Sequence, residues 1–99
     1  MTKRPFTVIA SVDTDDPEAV QPVLERLFGK GRVTRLDNNE FQIEAKLVGE
    51  NAKELNRSLL SQLRKAERKT RMRAEWTSEG TTDRFFDYVL KKSTKTAVK

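Results

Sequence analysis

Asn51–Arg73, NAKELNRSLLSQLRKAERKTRMR, is the stretch that decides the fold. Asn51 followed three residues later by Glu54 is a capping-box-like start for a helix. The apolar residues that follow recur at helical spacing and lie on one narrow arc: Ala52, Leu55, Leu59, Leu63 and Ala66, with Leu60 at its margin. The pattern predicts a helix that runs through Lys69 and turns a leucine ridge toward a sheet.

The opposite face of the same helix is basic. Its cations cluster within roughly 60° of one another on the helical wheel: Lys53, Arg57, Arg64 and Arg68. Residues 70–76 then alternate between polar and apolar side chains, which is typical of a strand, and they add Arg71 and Arg73. One segment therefore supplies a core ridge and the densest positive charge of the chain.

The other elements follow from the same patterns. β-branched and alternating residues predict strands over 6–12, 32–36 and 41–48. Between the first two strands, an Asp of the run 13–16 caps a helix whose first position is Pro17. Pro22 leaves two possibilities open, a distorted first turn or a regular helix that begins near Pro22.

The order strand, helix, strand, strand, helix, strand predicts an α+β domain with a ferredoxin-like (βαββαβ) two-layer plait. Its core is predicted to contain Val8, Leu27, Ile43, Leu55, Leu59 and Leu63. The open face of its sheet is predicted to show Thr7, Ser11, Gln42, Glu44, Lys46, Arg71 and Arg73. A register slip of one residue would exchange the two faces.

A helical or strand extension follows Trp76. The spacing of the apolar residues favours an amphipathic helix over 81–92, capped by Thr81 or Thr82. A strand is the alternative, because Glu79-Gly80 is a plausible turn. Residues 1–90 are predicted to form a single domain, and the basic residues 91–99 a disordered tail.

The composition narrows the functional classes. Hydrophobic and charged residues each make up 35% of the 99 residues, and there is no His and no Cys. Thiolate and imidazole chemistry, disulfides and the usual zinc ligands are therefore excluded, and no cofactor, metal site or catalytic residue is predicted. No apolar run reaches the ~20 residues of a membrane span, so a cytoplasmic protein is expected.

The net charge of +5 is divided unevenly. Residues 1–50 carry 7 basic and 9 acidic side chains, a net of −2, whereas residues 51–99 carry 13 and 6, a net of +7. Phosphate binding needs several cations on one face, and the arginine fork can hold two oxygens. The sequence thus favours a non-enzymatic binding module for an anionic partner, RNA, DNA or an acidic protein, with these predicted contacts: Lys53, Arg57, Arg64, Arg68, Arg71 and Arg73.

Two alternatives remain open. The aromatic residues after position 75 either complete the core or form an interface with a partner. Together with the polar open sheet face, the second interpretation gives a protein-interaction and oligomeric regulatory domain, with a homodimer as one form. The segment Val8–Pro17, with Asp13 at the end of the first strand, resembles the small CRISPR-associated adaptation subunit. Val12 replaces the Tyr of that family's Tyr-Asp pair. This resemblance implies a Mg²⁺-dependent nuclease centred on Asp13.

Overall fold

The computed structural model describes residues 3–37 and 39–95, with side chains as far as Lys91. The elements along the chain are β1 (Arg4–Asp13), α1 (Pro17–Phe28), a 3₁₀ turn (Lys30–Arg32), β2 (Val33–Arg35), β3 (Glu40–Gly49), α2 (Ala52–Ala66), β4 (Arg71–Ser78), β5 (Thr81–Phe86) and β6 (Val89–Lys95). Each helix of the described chain is preceded by the side-chain cap that the sequence predicts. Asp16 accepts a hydrogen bond from the Ala19 N–H (3.2 Å), and Asn51 accepts one from the Glu54 N–H (2.8 Å).

Within the described residues, six strands form one sheet in the order β2-β3-β1-β4-β5-β6, and every neighbouring pair is antiparallel. The predicted ferredoxin-like (βαββαβ) two-layer plait is therefore wrong, because residues 81–95 continue the sheet by two further strands. The combination of an antiparallel sheet with helices stays within the α+β class.

The helix favoured over 81–92 is also wrong. Glu79 and Gly80 have φ angles of +53° and +80°, so the chain reverses there and β5 returns along β4. A second reversal follows at Asp87, whose φ is +56°. The predicted tail begins inside β6, since residues 91–95 belong to that strand, whereas residues 96–99 lie outside the described part.

The core lies between the helices and one face of the sheet. The predicted core residues Val8, Ile43, Leu59 and Leu63 are at most 3% exposed, and Leu27 and Leu55 pack against them partly buried. β1 shows the alternation directly, with Phe6, Val8, Ala10 and Val12 buried and the residues between them facing outward. The predicted division of the sheet into a buried and an open face is confirmed.

The two ends of the helices bear on the predicted site. α1 begins at Pro17 and continues through Pro22, so the alternative of a helix that begins near Pro22 is wrong. α2 ends at Ala66, not at Lys69, because Glu67 leaves the helical conformation. The Glu67 carboxylate accepts the Lys69 N–H (3.1 Å) and its carbonyl accepts the Thr70 N–H (3.1 Å). None of the helices in the described ranges is long and apolar enough to cross a membrane.

Candidate nucleic-acid interface

The early end of α2 creates a basic corner where the chain turns from the helix into the sheet. Arg64, Arg68, Lys69 and Arg71 surround a concavity of about 460 Å³, together with Asp15 and Asp87. We call this group the α2–β4 corner. Among the described residues, no carboxylate pairs with Arg68 or Lys69, and both side chains are exposed. The corner thus holds cations that are available to an external anion.

Arg64 is the fixed member of the corner. Its Nε donates to the carbonyl oxygen of Thr70 (2.9 Å), and its Nη2 lies 3.5 Å from Oδ1 of Asp87. The guanidinium carbon stands 5.1 Å from the centre of the Tyr88 ring, a cation–π contact. These contacts hold the guanidinium in one place and leave the side chain 31% exposed.

Asp87 orders the corner from the turn between β5 and β6. Its Oδ1 accepts the Met72 N–H (2.9 Å), and its own N–H donates to the Met72 carbonyl (2.7 Å). Oδ2 lies 3.9 Å from Nε of Arg71. The carboxylate therefore stands between the guanidinium groups of Arg64 and Arg71.

The same turn is attached to α2 by a buried amide. Asn56, which is 1% exposed, donates from Nδ2 to the Asp87 carbonyl (2.7 Å) and accepts at Oδ1 from Nε1 of Trp76 (3.1 Å). Nearer the surface, the hydroxyl groups of Tyr88 and Ser61 lie 3.2 Å apart. The turn and the helix consequently form one unit, and the corner is built on it.

The basic surface continues onto the open sheet face. Arg73 lies opposite Phe86 in the β4–β5 register, and the guanidinium carbons of Arg71 and Arg73 stand 5.4 Å and 5.7 Å from the Phe86 ring centre. Beside them lies a depression of about 650 Å³ whose lining includes three carboxylates: Asp13, Asp37 and Glu40. The open face is thus mixed in charge there, and the α2–β4 corner is the more basic concavity.

The structure separates the six predicted site residues into two groups. Arg64, Arg68 and Arg71 meet at the corner and Arg73 extends it, whereas Lys53 and Arg57 lie near the start of α2. Lys53 and Arg64 are eleven positions apart in α2, which is about 16.5 Å along the helix axis at 1.5 Å per residue. Arg57 forms an ion pair with Glu54 in the same turn.

Sequence reasoning missed Lys69, Phe86, Asp87 and Tyr88. Lys69 was counted inside the helix, although it lies in the turn. The aromatic residues were assigned to an extension that covers the core, and only Trp76 and Phe85 of that group are buried. The available signal was Asp87, a polar residue between apolar ones. This pattern fits a two-residue turn between strands as well as it fits a helix.

The acidic run that begins with the last residue of β1 contributes to the fold. Asp16 caps α1, and Asp13 lies opposite Arg71 in the β1–β4 register. Among the described residues, no group of three or more acidic side chains is placed to hold a metal ion. The nuclease alternative centred on Asp13 stays a prediction without structural support, as do the homodimer and the cytoplasmic location.

Comparisons with protein-family models, curated proteins and solved structures find no significant match to this chain.

Proposed function

We propose that the protein is a non-enzymatic module that binds nucleic acid, with the phosphates held at the α2–β4 corner. The observation that carries the proposal is the convergence of Arg64, Arg68, Lys69 and Arg71 on one concavity. Among the described residues, two carboxylates line it, and one of these, Asp87, already accepts a backbone N–H. The remaining positive charge favours an anion.

The chemistry of the corner fits phosphate. Arg64 is held in place by Thr70 and Tyr88, so it loses little side-chain freedom when it binds an oxygen anion. Arg68 and Lys69 stand on an exposed turn, and in the described ranges no carboxylate pairs with them, so both can reach a phosphate directly. A preordered arginine beside adaptable cations is a combination suited to the backbone of a nucleic acid.

The positive surface is also long enough for more than one phosphate. Arg71 lines the corner and shares the Phe86 ring with Arg73 on the open face. Residues two positions apart in a β-strand are about 6.8 Å apart. This distance is close to the spacing of successive phosphates in an extended single strand of nucleic acid. A strand that enters at Arg68 therefore meets further cations along β4.

A salt titration tests the proposal. A fluorescently labelled 12-nucleotide RNA and its DNA equivalent are titrated with the protein at 50 mM and 200 mM salt, and anisotropy is measured. Four phosphate contacts on a single strand predict that affinity falls about fifty-fold between these two concentrations. A flat salt response, or no binding at 50 mM salt, would overturn the proposal.

Two double variants with equal charge changes locate the surface. Arg68→Ala/Lys69→Ala removes cations of the corner and should weaken binding at 50 mM salt at least tenfold. Lys53→Ala/Arg57→Ala removes the same charge from the other end of α2 and should change affinity less than twofold. Equal losses of affinity in the two variants would mean that binding depends on net charge alone and not on the position of the cations. If polyglutamate at equal charge concentration displaced the labelled nucleic acid, an acidic-protein partner would be favoured instead.

A further inference from the structure

An apolar depression interrupts the polar open face of the sheet. Ile9 is 43% exposed on β1, although its neighbours across both adjacent strands are the carboxylates Glu44 and Glu75. The depression beside it measures about 520 Å³, and Phe86 contributes to its opposite wall. Ile9 and Phe86 thus give this part of the open face an apolar lining among charged residues, with room for a ligand that has an apolar face.

The walls of the depression are set by the strand register. Ile9 stands on β1 and Phe86 on β5, two strand spacings apart and offset by two residues along the strands, which is about 12 Å. β4 lies between them, and Arg73 covers the Phe86 ring from that strand. The β5–β6 register shifts after Arg84, and Lys91 is the extra residue on β6. The side chains of Arg84 and Lys91 both line the depression.

We propose that this depression, here called the base pocket, binds one unpaired nucleobase of a strand whose phosphates lie at the α2–β4 corner. The inference rests on the proposed function and narrows it to single-stranded nucleic acid. Bases inside a duplex are stacked on one another and cannot enter such a pocket.

The lining provides what a nucleobase needs. A base packs one flat face on the Ile9 side chain and the other toward the Arg73–Phe86 stack, which combines apolar and cation–π contact. The Ser11 hydroxyl and the Glu75 carboxylate, which pairs with Arg84 at 3.0 Å, reach the edge of the base. Arg73, Arg84 and Lys91 give the pocket a positive balance that favours the adjoining phosphates.

The pocket is continuous with the corner. Arg73 and Phe86 line both the base pocket and the neighbouring depression, which Arg71 also lines. Arg71 in turn lines the α2–β4 corner. A nucleic-acid strand that follows β4 therefore passes from the corner to the base pocket along Arg71 and Arg73, beside the carboxylates Asp13, Asp37 and Glu40 of the same depression.

An abasic oligonucleotide separates base contacts from phosphate contacts. The affinity of a 12-nucleotide thymidine strand is compared with that of a 12-nucleotide abasic strand, which carries the same phosphates, at 50 mM salt. The base-bearing strand should bind about tenfold more tightly, the size of one stacked base. A 12-base-pair duplex should bind more weakly per phosphate than the thymidine strand.

A matched pair of variants places the effect. Ile9→Thr alters the pocket wall, whereas Val48→Thr changes another exposed β-branched residue of the open face, on β3. Ile9→Thr should reduce the preference for the base-bearing strand to less than threefold and leave the salt slope unchanged. Val48→Thr should keep both values.

The outcomes distinguish this inference from the proposed function. Salt-dependent binding with equal affinity for the base-bearing and the abasic strand would overturn the base pocket and leave the phosphate-binding corner standing. A preference that survives in Ile9→Thr would likewise overturn it. Absence of any salt-dependent binding would remove both.

Discussion

The two ends of α2 carry the same kind of side chain in different surroundings. Near its start, Arg57 is 62% exposed and its ion-pair partner is Glu54, one turn away on the same helix. Near its end, Arg64 is 31% exposed and contacts Thr70, Asp87 and Tyr88, all from later parts of the chain. The ion pair of Arg57 lies within its own helix, whereas the contacts of Arg64 join the helix to the sheet.

This difference shows what makes a basic residue part of a site. Helical periodicity places Arg57 and Arg64 on one face, but among the described residues the ion pair of Arg57 stays within the helix, whereas Arg64 contacts the β5–β6 turn. An exposed intrahelical pair is worth a few tenths of a kcal/mol, because both ions remain hydrated. An arginine bound to a backbone carbonyl and a ring is held in one orientation before any ligand arrives.

The buried side chain of Asn56 joins the β5–β6 turn to α2, and its removal should have the largest effect on stability. Asn56→Ala leaves the Trp76 N–H and the Asp87 carbonyl without their partner in a buried place, and each unsatisfied group costs about 1–3 kcal/mol. We expect the free energy of unfolding, measured by urea titration, to fall by about 2–4 kcal/mol. The β5–β6 turn should lose protection in hydrogen exchange first.

Ser58→Ala is the control for this variant, because Ser58 is an exposed residue of the same helix. It should change the free energy of unfolding by less than about 0.5 kcal/mol. If Asn56→Ala were equally mild, the turn would be held by other contacts and the unit of helix and turn would not exist.

Truncating one arginine at each end of α2 measures how much each of them contributes to stability. Arg64→Ala removes a hydrogen bond to Thr70, a partly exposed ion pair and a ring contact, so we expect a loss of about 1–2 kcal/mol in unfolding free energy. Arg57→Ala removes one exposed ion pair and should cost less than about 0.5 kcal/mol. Urea titrations of both variants at one salt concentration provide the measurement, and equal losses would contradict the distinction between the two ends.

Local signals in the sequence predicted the parts of this fold that depend on neighbouring residues. Asn51 and the Asp run marked the helix starts because a cap bonds a backbone N–H two or three residues away. The alternation in residues 41–48 fixed which face of β3 is buried, because successive side chains point to opposite faces. Leu59 and Leu63 entered the core for the corresponding reason in a helix.

Contacts between distant residues could not be predicted in the same way. Phe85 and Phe86 fit a helix as well as a strand, and the choice was made by pairing with Ala74 and Arg73 on β4. Asn56 is polar, so the apolar pattern could not place it inside, although it lies four residues after the buried Ala52. The candidate site inherits this limit, because the contacts of Arg64 with Asp87 and Tyr88 in the β5–β6 turn join residues 23 and 24 positions apart.

Asp87→Asn tests the smallest effect that the comparison implies. The asparagine keeps an oxygen that accepts the Met72 N–H, and asparagine tolerates the φ of +56° at this position. The substitution removes the negative charge that lies 3.5 Å from Arg64 and 3.9 Å from Arg71. If Asp87 competes with phosphate for these arginines, affinity for the 12-nucleotide strand at 50 mM salt should rise about threefold, a change of about 0.7 kcal/mol. A weaker complex with an unchanged unfolding midpoint would mean that Asp87 instead positions the two guanidinium groups for the ligand, and the difference between the ends of α2 would then depend on that carboxylate.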